Sequence, residues 1–167
     1  MAGTGNAFVD RLRVATDRIL ALQPRVEQGT PWPLAERFGT EPEAVWGPME
    51  VLAHSAEMLP FWLGEIGRIL AGDPEPVPFG RVADDPNRLA IIERDRSLPP
   101  GELFDRIASD TGRYARRLPG LDESALGRRG LHPRRGEMTV ADVLERFVVG
   151  HLEEHAMQLT EALATRR

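Results

Sequence analysis

Apolar side chains in this sequence recur at spacings of three and four along four long stretches. Nowhere do they alternate with polar residues, between turn signals, for long enough to read as a strand. That periodicity commits the chain to amphipathic helices, whose apolar stripes are buried by packing on one another. The first stretch runs from about Ala7 to Leu22 on Phe8, Leu12, Ala15, Ile19 and Leu22. The second starts at Pro48, a favoured first helical position, and runs through MEVLAHSAEMLPFWLGEIGRILAG to Gly72. Pro60 lies inside it, and a kink is expected there because the pattern resumes with Trp62, Leu63, Ile66 and Leu70. The third, LPPGELFDRIASDTGRYARRL, is carried by Leu103, Ile107, Tyr114 and Leu118. The fourth begins after Thr139, a good N-cap, and ends near Ala164.

The connections are long and rich in helix breakers. QPRVEQGTPWPLAERFGTEPEAVWGP cannot be continuous helix, although PLAERF suits a short turn; Trp32, Phe38 and Trp46 are expected to tie this crossover down. DDPNRLAIIERDR, opened by an Asp cap and Pro86, reads as a short helix. GLDESALGRRGLHPRRGEM reads as a polar loop, with His132 on its surface. The fold class is therefore all-α: a four-helix bundle with one or two extra short helices, in one domain over residues 1–167. The long first crossover argues against a plain series of helical hairpins.

Two missing residue types narrow the chemistry. Without cysteine there is no disulfide, thiolate nucleophile or cysteine-type zinc site, so any thiol must come from outside. Without lysine there is neither a Schiff-base amine nor a P-loop lysine; all 21 basic residues are arginine. A formal net charge of -5 with no basic stripe argues against nucleic acid. The absence of a spanning apolar run argues against insertion in a membrane. No secretory signal pattern opens the chain, so a cytoplasmic location is expected.

VVGHLEEHAMQL interrupts the fourth helix's apolar stripe with His151 and His155. On a helical wheel Val140, Leu144, Phe147, His155, Gln158 and Ala162 all lie within about 40° of His151. Imidazoles four apart have Cβ atoms about 6 Å from each other, close enough to share one ion. Buried neutral imidazoles without partners would each cost about 1 to 3 kcal/mol, which a shared cation removes. The other helical histidine is His54, on a side of the second helix with Val51, Met58 and Phe61 and away from its main stripe, so that helix must be covered on two sides. Three facial histidines would leave coordination positions open for water or substrate. Glu57, one turn beyond His54, is the candidate base or orienting carboxylate; Gln158 is the candidate to orient a bound group.

A tryptophan before the second helix, a histidine early in it, and a loop leading into a helix with H-x-x-x-H-x-x-Q resemble the DinB-like four-helix metalloproteins. That superfamily includes the N-terminal domain of mycothiol-dependent maleylpyruvate isomerase and the bacillithiol transferases. The matching elements are Trp46, His54, HPRRGEMTVADVL, His151, His155 and Gln158. The resemblance implies up-down-down-up topology, a divalent metal (zinc or nickel) on His54, His151 and His155, a homodimer, and S-transfer or isomerisation of small electrophiles with a mycothiol-type low-molecular-weight thiol. In that reading metal coordination acidifies the thiol, Glu57 accepts its proton, and arginines of GRRGLHPRRG hold an anionic group. The alternatives are a metal-dependent small-molecule hydrolase and a non-catalytic, metal-stabilised ligand-binding bundle. An all-imidazole site does not by itself select the metal.

Overall fold

The computed structural model describes residues 3–35 and 46–165. Four long helices carry the architecture: α1 (Gly3–Leu20), α3 (Pro48–Ala71), α5 (Pro100–Arg117) and a last helix built as α7 (Val140–Val143), a π-helical stretch (Leu144–Val149) and α8 (Gly150–Ala164). Short helices α2 (Gln23–Gln28), α4 (Pro86–Asp95) and α6 (Glu123–Leu126) lie in the connections. The expected starts at Pro48 and after Thr139 are met, and α3 runs unbroken through Pro60. Thr139 closes a full capping box: its hydroxyl accepts from the Asp142 N–H, and the Asp142 carboxylate accepts from the Thr139 N–H. In the crossover after α1, Trp46 is buried and the Trp32 indole donates to the Val26 carbonyl. Residues 33–35 are not helical, and the rest of PLAERF, with Phe38, lies outside the described residues.

α3 packs on α5 and α8, and α1 packs on the same two helices, giving a ring in the order α1, α5, α3, α8. The connections from α1 to α3 and from α5 to α7 therefore join helices across the diagonal. Short hairpin turns cannot do this, which accounts for the long breaker-rich segments. The core is one continuous cluster, with Leu12, Leu52, Leu59, Ile66, Phe104, Ile107, Val143 and Leu159 among its most buried members. Every residue from Pro48 to Leu59 is buried, since α3 is covered by α4, α7 and β1 (Val77–Pro78) as well as by its two ring neighbours. The Tyr114 hydroxyl donates to the Leu59 carbonyl across the α3–α5 seam at 2.6 Å. No described helix is long and apolar enough to cross a membrane.

The second connection differs from the loop expected of it. β1 pairs in parallel with β2 (Arg129–His132), which pairs antiparallel with β3 (Gly136–Thr139) in the register Gly130 to Met138 and His132 to Gly136. On β2 the inward positions are Gly130 and His132, so the alternation that marks a strand carries no apolar signal. Gly130 allows the strand to lie on the core: an added Cβ would stand 2.4 Å from the Phe79 ring.

The π-helical stretch ends at Gly150, whose N–H donates five residues back to the Glu145 carbonyl. A Cβ at this position would lie 2.5 Å from that oxygen, so the wide turn depends on glycine here. Arg11 of α1 spans the stretch from outside, holding Glu145 at 2.6 Å and Glu153 at 2.9 Å. A helical Gly→Ala change ordinarily adds up to about 1 kcal/mol of stability. Gly150→Ala should instead lose about 1 to 3 kcal/mol, read as a lower urea midpoint with unchanged m-value.

Candidate metal centre

α3 presents His54, and α8 presents His151 and His155 from the turn after the π-helical stretch. The three side chains meet between these helices. His54 Nε2 lies 3.1 Å from His151 Nε2, which lies 2.9 Å from His155 Nε2, and one ligand nitrogen from each ring falls within 4.8 Å of the other two. His54 and His155 are buried and His151 is partly open. At Zn–N bonds of about 2.0 to 2.1 Å, ligand nitrogens stand about 3.3 Å apart at tetrahedral angles and about 2.9 Å apart at right angles. The two separations at His151 fall in that range, as two ligands of one ion require.

Each ring carries an acceptor three residues downstream. His155 Nδ1 donates to Gln158 Oε1 at 3.0 Å; His54 Nδ1 faces Glu57 Oε2 at 3.4 Å, and His151 Nδ1 faces Glu154 Oε2 at 3.5 Å. An acceptor at Nδ1 favours the tautomer with its proton there, which turns the Nε2 lone pair toward the common point. The Gln158 contact has hydrogen-bond length, whereas the two glutamate contacts are looser. Glu57 is fixed from behind by Arg81, whose guanidinium meets Oε1 at 2.5 Å. Its carboxylate therefore stands on the Nδ1 side of His54, away from the convergent nitrogens.

A family model described as the DinB superfamily matches residues 3–159. The chain belongs to the DinB superfamily. Its fold is similar to that of YfiT from Bacillus subtilis, described as a probable metal-dependent hydrolase with an unusual four-helix bundle topology; the TM-score is 0.73, at 18% identity over 95% of this chain and 85% of that one. No curated protein matches the chain at significant similarity.

In this DinB bundle a cavity of about 460 Å³ opens beside His54 and His151. Trp62, His132 and Phe147 form one wall, with Phe147 stacked on Trp62 (4.4 Å between centroids, 7° between planes) and on His132 (5.2 Å, 27°). Arg81, Arg88, Arg134 and Arg135 supply positive charge against a single lining acid, Asp84. Arg88, buried on α4, donates to the Ala83 carbonyl at 2.8 Å and brings its other terminal nitrogen to 3.5 Å from His54 Nε2.

His132 corrects the expectation of a surface residue, for it is buried on β2. Its Nδ1 accepts the backbone N–H groups of Arg134 and Arg135, both at 3.2 Å, and its Nε2 donates to the Arg81 carbonyl at 3.1 Å. Both ring nitrogens are thus used in joining the hairpin to the segment before α4. Gly80, at φ +84°, lets that segment pass over the ring, where a Cβ would come within 2.6 Å of His132 Cδ2. Glu154, Arg81 and Arg88 were not singled out from the sequence. The repeated i, i+3 spacing of His54 with Glu57, His151 with Glu154 and His155 with Gln158 is the signal that exposes Glu154. Arg81 and Arg88 have no comparable mark.

Burial holds the three imidazoles neutral. His54 lies well below its ordinary pKa through desolvation, with the neighbouring His155 and Arg88 adding to the effect; His151 falls to about 3 through desolvation, and His155 to about 4, where Gln158 partly offsets the loss of water. Burial raises Glu57, opposed by Arg81. In the metal-free protein the unfolded chain, with histidines near about 6.5, binds more protons than the native state as the solution is acidified below that value. Stability is therefore complete above about pH 7 and is lost as the pH falls from about 6.5 toward 4. Urea titrations of EDTA-dialysed protein should show a fall of at least about 1 kcal/mol per pH unit between pH 6 and 5. Replacing the three histidines by glutamine should flatten that slope.

Proposed function

We propose that this chain is a metal-dependent hydrolase of a small molecule bound in the cavity beside His54, His151 and His155. The observation that carries the reading is the convergence of three imidazoles, with His151 Nε2 at metal-ligand separations from the Nε2 atoms of the other two and one side open to that cavity. The description of YfiT supports the choice of hydrolysis. A divalent ion, with zinc or nickel best suited to imidazole donors, would supply Lewis acidity, making water or a thiol a nucleophile near neutral pH and polarising the bond it attacks.

The residues divide the remaining work. The three histidines hold the ion and leave the cavity side open, while Trp62 and Phe147 keep an apolar wall beside it. Gln158 orients His155 through Nδ1. Glu57 orients His54 and, clamped between that ring and Arg81, is a positioning carboxylate rather than the base that collects a proton from the open side. Asp84 is the carboxylate that lines the cavity itself. The lack of cysteine keeps a second reading in play, in which an external low-molecular-weight thiol replaces water and the reaction is S-transfer or isomerisation.

Metal-loaded protein is compared with EDTA-dialysed protein and with His151→Ala on a panel of esters, lactones and amides, then on epoxides and maleyl compounds with N-acetylcysteine. Hydrolysis that needs zinc or nickel and falls at least about 10²-fold in His151→Ala supports the proposal. Product that appears only with the thiol supports the second reading, and absence of turnover on every substrate with full metal occupancy supports a binding bundle. Chelator competition separately tests the orienting groups. Gln158→Leu and Glu57→Gln should each weaken zinc binding about 10- to 100-fold, and the exposed Glu154→Ala by less.

A further inference from the structure

We propose that Arg134 and Arg135, in the turn between β2 and β3, form an anion subsite at the cavity mouth. It takes the carboxylate or phosphate of a substrate whose planar apolar body lies along the wall of Trp62, Phe147 and His132. Assigning this molecule as a substrate rests on the metal-site reading above; the anion subsite itself does not.

Four observations carry it. Both arginines line the same cavity as His54 and His151, so an anion held by them leaves the rest of the molecule directed toward the tripod. Among the described residues neither guanidinium has a carboxylate within ion-pair distance, whereas Arg11, Arg94, Arg96, Arg106, Arg113, Arg128 and Arg129 all do. Arg81, the neighbouring cation, is occupied by Glu57. The turn is also preorganised, because both arginine backbone N–H groups are tied to His132 Nδ1 and the turn closes at Gly136, φ +74°. Finally, the Arg135 guanidinium stands 5.5 Å from the Phe147 ring centroid, which places charge and aromatic surface side by side. Paired guanidinium donors on a fixed turn recognise a planar or tetrahedral oxyanion through charge-assisted hydrogen bonds.

The test is calorimetric titration of the full chain, zinc-loaded and EDTA-dialysed, with 1-naphthoate, 1-naphthyl phosphate and the neutral 1-naphthalenemethanol. The variants are Arg134→Gln/Arg135→Gln and, as a fold-preserving check, Arg134→Lys/Arg135→Lys, with circular dichroism on each. At least one anion should bind with a Kd of about 1 mM or tighter, and about tenfold or more tighter than the alcohol. The glutamine variant should lose that margin in both metal states while binding the alcohol as before, and the lysine variant should retain part of it. Preference for one anion identifies the group and supports the proposal. Equal binding of anion by the glutamine variant, equal binding of the alcohol, or no binding of either anion overturns it. Anion binding that disappears with EDTA and ignores the arginine changes places the anion on the metal, and overturns it too. Failure to take up zinc would sink the metal reading alone, since the EDTA arm reads the arginines directly.

Discussion

Three imidazole rings converge on one point inside the bundle, and the helices that carry them must hold them there. Nothing in ordinary apolar packing favours this arrangement, and each ring has given up water to reach it. The bundle tolerates the cost because the surroundings are rigid. His54 stands in the most enclosed segment of the molecule, where twelve consecutive residues from Pro48 to Leu59 are buried. Its partners stand on the last helix, which packs against both α1 and α3. A divalent ion at the centre would be held by all three rings and would turn their loss of water into metal affinity.

The π-helical stretch sets where that cost falls. A uniform α-helix from Val140 to Ala164 has one continuous stripe, and on such a helix the histidines share their face with Val140, Leu144 and Phe147. The wide turn at Leu144–Val149 inserts an extra residue just before His151, altering the phase of the two halves. Val143 and Leu144 stay in the core, Phe147 becomes a wall of the cavity, and His151 turns partly toward that space. Gly150 is the residue that permits this, and Arg11 fastens Glu145 and Glu153 across it from α1.

Much of this was legible in the sequence, for different reasons in different places. The four long helices announced themselves by period; Pro48 and Thr139 marked the starts of two of them, and Asp85 that of the short α4, because capping chemistry is local. His151 and His155 stood out because two polar rings interrupted an apolar stripe. His54 was found by elimination, and its place opposite them depends on the diagonal connections, which no local pattern reveals. The hairpin was hidden for a physical reason: the inward residues of β2 are a glycine and a histidine, so that strand buries backbone and a polar ring and not a row of apolar side chains, and β3 adds only Met138. The π turn was hidden too, since glycine inside a helix reads as a weak position until the neighbouring carbonyl is seen.

His132 shows how a polar connection can be as well fixed as a core. Its two nitrogens join the Arg134 and Arg135 backbone to the Arg81 carbonyl, and Arg81 in turn clamps the carboxylate that faces His54. One run of contacts therefore links the turn at the cavity mouth to the orientation of a tripod histidine. The turn is held through backbone N–H groups, which every residue except proline supplies. The side chains at positions 134 and 135 can change while the register of the hairpin and the aim of His54 stay the same. A bundle built this way keeps the convergence of the three rings, which is geometrically strict, apart from the side chains at the cavity mouth, which are open to substitution.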